Sequence, residues 1–145
     1  MRTLAVDPGS RRVGVALSDA AGKLASPHAV LQITSPSQAI DQILKIIAEE
    51  QVDRIVMGLP LNMDGSPGPS AHSAREMGQK IAALTHKPVL YVDERLSTFA
   101  AEQNLKDRRR AGEKITRAQK KSRLDAKAAA LFLQDFLDNK LPPQL

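Results

Sequence analysis

Carboxylates stand at three points along the chain where a strand or a helix could deliver them to one place. Asp7 closes Leu4-Ala5-Val6-Asp7 and is followed by Pro8-Gly9-Ser10. Asp93-Glu94 closes Pro88-Val89-Leu90-Tyr91-Val92 and precedes Arg95-Leu96-Ser97-Thr98. Asp125 is followed at helical spacing by Ala128, Ala129, Phe132 and Phe136, so it continues an apolar stripe instead of a wet face. Three carboxylates gathered in a partly buried place repel one another and require protons or divalent cations. An oxygen-only donor set suits Mg²⁺ or Mn²⁺ and not zinc. Two such ions activate a water and stabilise the leaving oxygen of a phosphodiester. Taken singly, each acid also reads as a turn former or a helix cap. Their joint placement is what points to metal-assisted hydrolysis.

The neighbours of these acids fit a polyanionic substrate. Gly9 leaves the backbone open to a phosphate or metal, and Ser10 lies beside it. A second loop, Gly58-Leu59-Pro60-Leu61-Asn62-Met63-Asp64-Gly65-Ser66, falls at the same end of the expected sheet. Asn62 there is a candidate substrate contact, whereas Asp64 before Gly65 reads as a turn former. Arg95 can orient Glu94, clamp a phosphate or form a structural ion pair. His28, His72 and His86 have no metal-ligand spacing.

Charge is unevenly distributed. Residues 106–123 hold nine Lys or Arg against Asp107 and Glu113, a net +7 segment in a chain of net +5. A solvated helix face carries both signs, whereas this run is nearly all positive and marks a polyanion partner. Arg108, Arg109, Arg110, Lys120 and Lys121 are the candidate contacts to a nucleic-acid backbone. With only three Phe, one Tyr and no Trp, a stacking platform for single-stranded bases is not expected. The chain has no cysteine, so disulfides, thiolate catalysis and cysteine-ligated zinc are excluded. No membrane span or secretory layout is read, and the expected location is cytoplasmic.

The elements that must position the acids follow from periodicity. Leu4–Asp7 and Val13–Ser18 alternate as strands, Asp19-Ala20-Ala21-Gly22 reads as a hairpin turn, and 23–31 as a weaker edge strand containing Pro27. Ser35-Pro36-Ser37-Gln38 starts a helix reaching about Gln51. Arg54–Leu59 and Pro88–Asp93 are unalternating buried strands, with a helix over 70–84 between them. Ser97 or Thr98 is expected to cap a further helix, and Ser122 to cap a last one over 124–139, before Pro142 and Pro143 end the chain. This order predicts one α/β domain over 1–145. Its core is a mixed five-stranded sheet, three antiparallel strands followed by parallel βαβ units, flanked by helices. Acids at the carboxyl ends of different strands then converge.

Asp7-Pro8-Gly9 with Val13-Gly14-Val15-Ala16, the Gly58–Gly65 loop, Asp93–Thr98 and the Asp125-Ala126 helix together resemble the bacterial YqgF family of the ribonuclease H-like superfamily. Its members are described as Holliday-junction resolvases and as nucleases that mature precursor small-subunit ribosomal RNA. The resemblance spans essentially the whole chain. It implies a ribonuclease H-like fold, an endonuclease acting on precursor ribosomal RNA or branched DNA, and a Mg²⁺ or Mn²⁺ centre of Asp7, Glu94 and Asp125. Asp93 is the less expected member of its pair, because strand alternation puts the two side chains on opposite faces. Related resolvases carry a further acid three residues after the helix aspartate, where this chain has Ala128. The alternative is a nucleic-acid-binding assembly or recombination factor with weak nuclease activity. A two-fold junction would suit a homodimer.

Overall fold

The computed structural model describes residues 1–96 and 117–144, with side chains described for 1–96 and 126–144. Strands β1 (Thr3–Asp7), β2 (Arg12–Ser18) and β3 (Ala25–Gln32) form an antiparallel meander. Helix α1 (Pro36–Glu49) leads to β4 (Arg54–Leu59), and helix α2 (Pro69–Thr85) leads to β5 (Val89–Asp93). A single 3₁₀ turn, Glu94–Leu96, ends β5. Helix α3 (Arg117–Leu137) and a two-residue strand β6 (Pro143–Gln144) complete the described chain.

The strands lie in one sheet of order β3-β2-β1-β4-β5-β6. Strands β1, β4 and β5 run parallel, so Asp7, Leu59 and Asp93 finish at the same edge. The mixed, helix-flanked sheet is as expected, with one strand more than the five read from the sequence. Pro143 sits in β6, antiparallel to Val92 at the sheet's outer edge. Proline lacks only the N–H, and an edge strand has one side with no ladder to complete. Helix α3 also begins earlier than expected, placing Ser122 inside it instead of at its cap. The helix-forming Ala118-Gln119-Lys120-Lys121 run carries it back to Arg117. The caps expected at Ser97 or Thr98, and the Arg108–Arg110 run, lie outside the described residues.

Two cores sandwich the sheet. On one face Leu4, Val6, Val13, Val15, Ile55, Met57 and Leu59 pack against Ile40, Ile43 and Ile47 of α1 and Ala74, Met77 and Ile81 of α2. On the other, Ala5, Ala16, Val56 and Val92 pack against Ala129, Ala130, Phe132 and Leu133 of α3. Alanines on both sides let α3 lie close to the strands. Alternation along β1 therefore sends Leu4 and Val6 towards α1 and α2, and Ala5 and Asp7 towards α3.

Local chemistry fixes the ends of these elements. Ser35 caps α1 by accepting from Gln38 N at 3.3 Å, while Gln38 Oε1 accepts from Thr34 N at 2.7 Å. The β2–β3 turn is closed by Asp19, whose carboxylate accepts from Lys23 N and Leu24 N, with Gly22 at φ +72°. Helix α2 ends on His86 in the left-handed region, and Asn139 plays the same part beyond α3.

Candidate active site

Asp7 ends β1 on the α3 face, opposite Gly14 of β2. On β5, alternation places Val92 on that face and Asp93 on the other, so the next residue, Glu94, returns to the Asp7 side. Its side chain lies across Gly58 of β4, where a Cβ would collide with the Glu94 carboxylate and come within 2.8 Å of its Cδ and Cγ. Asp7 and Glu94 thereby share a hydrogen bond between their carboxyl groups. Burial raises the Asp7 carboxyl above its ordinary value of 3.8, and the bond to Glu94 pulls the other way without cancelling the rise. Two carboxyl groups this close cannot both be ionised without a proton or a cation between them. The donor set fits a hard divalent cation: oxygen atoms only, partly desolvated, with glycine clearing the space beside them.

Asp93 faces away from this pair and is 3% exposed. Its partner is Arg95, which donates from Nε to Oδ1 at 3.0 Å and from Nη2 to Oδ2 at 2.6 Å. That bidentate contact holds the Asp93 carboxyl below its ordinary value. Arg95 Nη1 also donates to the Met63 carbonyl at 2.9 Å. Of the three roles open to Arg95 in the sequence, the structural ion pair is the one found. Asp93 and Met63 engage its Nε–H, one Nη2–H and one Nη1–H, which leaves two N–H groups on a side chain that is 35% exposed.

The Met63 loop is itself tied down. Asn62 N donates to the Ser66 carbonyl at 3.0 Å, Gly65 N to the Asn62 carbonyl at 2.8 Å, and Asn62 Nδ2 to Ser66 Oγ at 3.1 Å. Asp64 accepts from Ser66 N and Ser66 Oγ at 2.9 and 2.6 Å, which lowers its carboxyl. Gly65 at φ +88° completes the turn. Asp64 is therefore the turn former expected, and Asn62, although exposed, spends one amide N–H on the loop.

Gly9 and Ser10 are exposed in the loop beyond Asp7. A Cβ at Gly9 would collide with the Arg12 carbonyl oxygen, so the chain's own backbone already requires glycine there. Asp125 lies in α3 four residues before the wholly buried Ala129, with its side chain among those not described. Lys120 and Lys121 lie on the first turns of the same helix. The sequence reading missed Gly58 as the seat of Glu94. A glycine inside an otherwise apolar strand signalled that something approaches closely there.

The family described as RuvX, Holliday junction resolvase, matches residues 1–139. The chain belongs to the RuvX family. A Roseiflexus relative is 42% identical over 139 residues, covering 96% of this chain and 95% of its own, and a Streptococcus equi subsp. equi relative is 39% identical over 140 residues, covering 95% and 98%. Both carry the curated name "Putative pre-16S rRNA nuclease". Among solved structures, Thermus thermophilus RuvC superposes with TM-score 0.61 at 16% identity, over 99% of this chain and 100% of its own. The fowlpox virus resolvase, solved with Holliday junction DNA, gives 0.56 at 12% identity, over 96% and 98%. These likenesses place the RuvX chain in the RuvC-like ribonuclease H fold. Among the described residues, no helix is long and apolar enough to cross a membrane.

Proposed function

We propose that this RuvX-family chain is a divalent-metal-dependent endonuclease of structured nucleic acid, with precursor small-subunit ribosomal RNA as its substrate class. The observation that carries the reading is the Asp7–Glu94 carboxyl pair, seated on Gly58 at the shared carboxyl edge of β1, β4 and β5. The name shared by the relatives supplies the substrate class.

In this reading Asp7 and Glu94 hold Mg²⁺ or Mn²⁺, with Asp125 of α3 as the third ligand. Asp125 is favoured by its place one helical turn before Ala129, which is buried against the Asp7 face of the sheet. When bound, the metal supplies a water of lowered pKa and a positive charge for the leaving oxygen. Burial raises the Asp7 carboxyl, and a bound cation would supply the counter-charge that holds it ionised. Gly58 fixes where the Glu94 carboxylate sits, and the Asp93–Arg95 pair fixes the chain on either side of it. The basic residues at 106–123 bring the phosphate backbone to this edge, with Gly9, Ser10 and Asn62 on its rim.

Purified protein incubated with a precursor 16S ribosomal RNA transcript tests the reading. Cleavage should require Mg²⁺ or Mn²⁺ and be lost in Asp7→Asn, while RNA binding persists. A four-way DNA junction run in parallel separates the two substrates. Ala128 favours a second reading for that junction, in which the chain binds branched DNA and cuts it weakly, because the fourth acid of related resolvases is missing. Cleavage by Asp7→Asn at the wild-type rate would remove the assigned centre.

A further inference from the structure

One cation near the candidate active site has no partner among the described residues. Arg12 opens β2, and Val13, Val15 and Leu17 of that strand point into the α1–α2 core. Alternation therefore puts Arg12 on the same face as Gly14 and Ala16, which is the face of Asp7. Strand β2 runs antiparallel to β1, so Arg12 lies at the edge where Asp7 ends. Gly14, the cross-strand neighbour of Asp7, has no side chain to stand between them. Arg12 is partly buried, its Nε is wholly out of solvent, and that atom has no hydrogen-bond partner. Among the described residues no ion pair reaches its guanidinium.

A guanidinium stays charged at any ordinary pH, so burying part of it without a partner costs stability. The described acids nearby are committed elsewhere: Asp7 to Glu94, and Asp93 to Arg95. The Arg12 carbonyl lies close against Gly9, where no Cβ would fit. Among the described residues nothing offsets that charge, and an anion arriving from outside would. The planar fork of donors on arginine matches a phosphate.

We propose that Arg12 is a phosphate-binding residue, receiving a backbone phosphate next to the one that reaches Asp7 and Glu94. The inference rests on the nuclease reading for its ligand, and it predicts a cost in stability that the free protein bears.

The test uses Asp7→Asn as a common background, so that a labelled precursor 16S ribosomal RNA transcript is bound without being cut. Adding Arg12→Met should weaken binding about tenfold, the scale of one charge-assisted hydrogen bond. It should also make the dependence of log affinity on log salt shallower by about one. Arg12→Lys should restore the salt slope and only part of the affinity. Without nucleic acid, Arg12→Met should unfold at a higher temperature than its background, because a poorly compensated charge is gone. Inorganic phosphate, titrated as a competitor, should displace the RNA only at concentrations where it also screens the Arg12→Met protein. Phosphate that stabilises the Arg12 protein against unfolding but not Arg12→Met, with RNA affinity the same for both, would reassign the site to the free anion and overturn the nucleic-acid proposal. Unchanged affinity and slope, or a lower unfolding temperature for Arg12→Met, would also overturn it. RNA bound through Arg12 by a wild-type chain that never cuts would refute the nuclease reading and leave this inference standing.

Discussion

Glu94 occupies the space that a side chain on Gly58 would need. Gly58 lies in β4, and Glu94 directly follows its parallel neighbour β5, whose register pairs Gly58 with Val92. The 3₁₀ turn at Glu94 then folds the acid back over the glycine and against Asp7. Position 58 thus sets the position of a carboxylate 36 residues away in sequence.

Gly58→Ala should therefore separate activity from folding. The added methyl must displace the Glu94 carboxylate, and a misplacement of about 1 Å in a reacting group costs about 100-fold in rate. Overpacking in a well-filled core costs about 1–3 kcal/mol, which a domain of this size tolerates. Metal-dependent cleavage should fall by about two orders of magnitude while circular dichroism stays that of the parent. Cleavage at the parent rate would mean that Glu94 need not sit on Gly58.

Asp7→Asn should stabilise the metal-free protein at neutral pH. The folded-state pKa of Asp7 is raised above its ordinary 3.8, so the native state binds the proton more tightly than the unfolded chain. Such a group contributes most below the unfolded value, and that contribution is lost as pH rises through the folded one. Asparagine removes the ionisation. The difference in unfolding temperature between variant and parent should open as pH climbs from about 4. Adding Mg²⁺ or Mn²⁺ should raise the parent's unfolding temperature and close the gap. A gap that is absent at neutral pH, or metal that stabilises both proteins equally, would count against Asp7 as a ligand.

Strand alternation made legible that only one of Asp93 and Glu94 could join Asp7. The choice of Glu94 came from the family resemblance, because β5 is apolar at every position before Asp93 and its phase against β1 depends on the register of β4 between them. The partner of Arg95 was not legible: Asp93 is two residues away, and only the 3₁₀ turn brings an i, i+2 pair into bidentate contact. Strand β6 was hidden for another reason. Two residues containing a proline carry no strand signal of their own, and only the open edge of β5 recruits them. That the Arg12 guanidinium finds no partner among the described residues could not be read from residue types at all, since it depends on which acids are already taken.

Neutralising Arg108, Arg109 and Arg110 together to Gln should act on binding and leave chemistry at saturating substrate nearly unchanged. Removing one phosphate-neutralising charge lowers the salt slope of binding by about 0.7 to 0.9. The triple variant should thus bind precursor ribosomal RNA with a slope shallower by up to about two to three. Fluorescence anisotropy across a salt series measures it. A slope equal to the parent's would reduce this run to solvated surface charge.

The Asp93–Arg95 pair predicts an acid-labile link beside the active edge. Arg95 holds the folded-state pKa of Asp93 below its ordinary 3.8. Its contribution is therefore fully present above the unfolded value and is lost as pH falls through the lowered folded one. Asp93→Asn should cost about 1–3 kcal/mol at pH 7, less than a fully buried ion pair, because the Arg95 side chain is 35% exposed and water can take up its charge. Urea unfolding followed from pH 7 towards pH 3 should show the parent converging on the variant. Arg95→Lys should fall between them, since an ammonium keeps the charge but cannot bond both Asp93 oxygens and the Met63 carbonyl at once. Both substitutions loosen the chain on either side of Glu94, so metal-dependent cleavage should fall with them while nucleic-acid binding holds. Equal urea stability of parent and Asp93→Asn throughout that range would deny the pair any structural role.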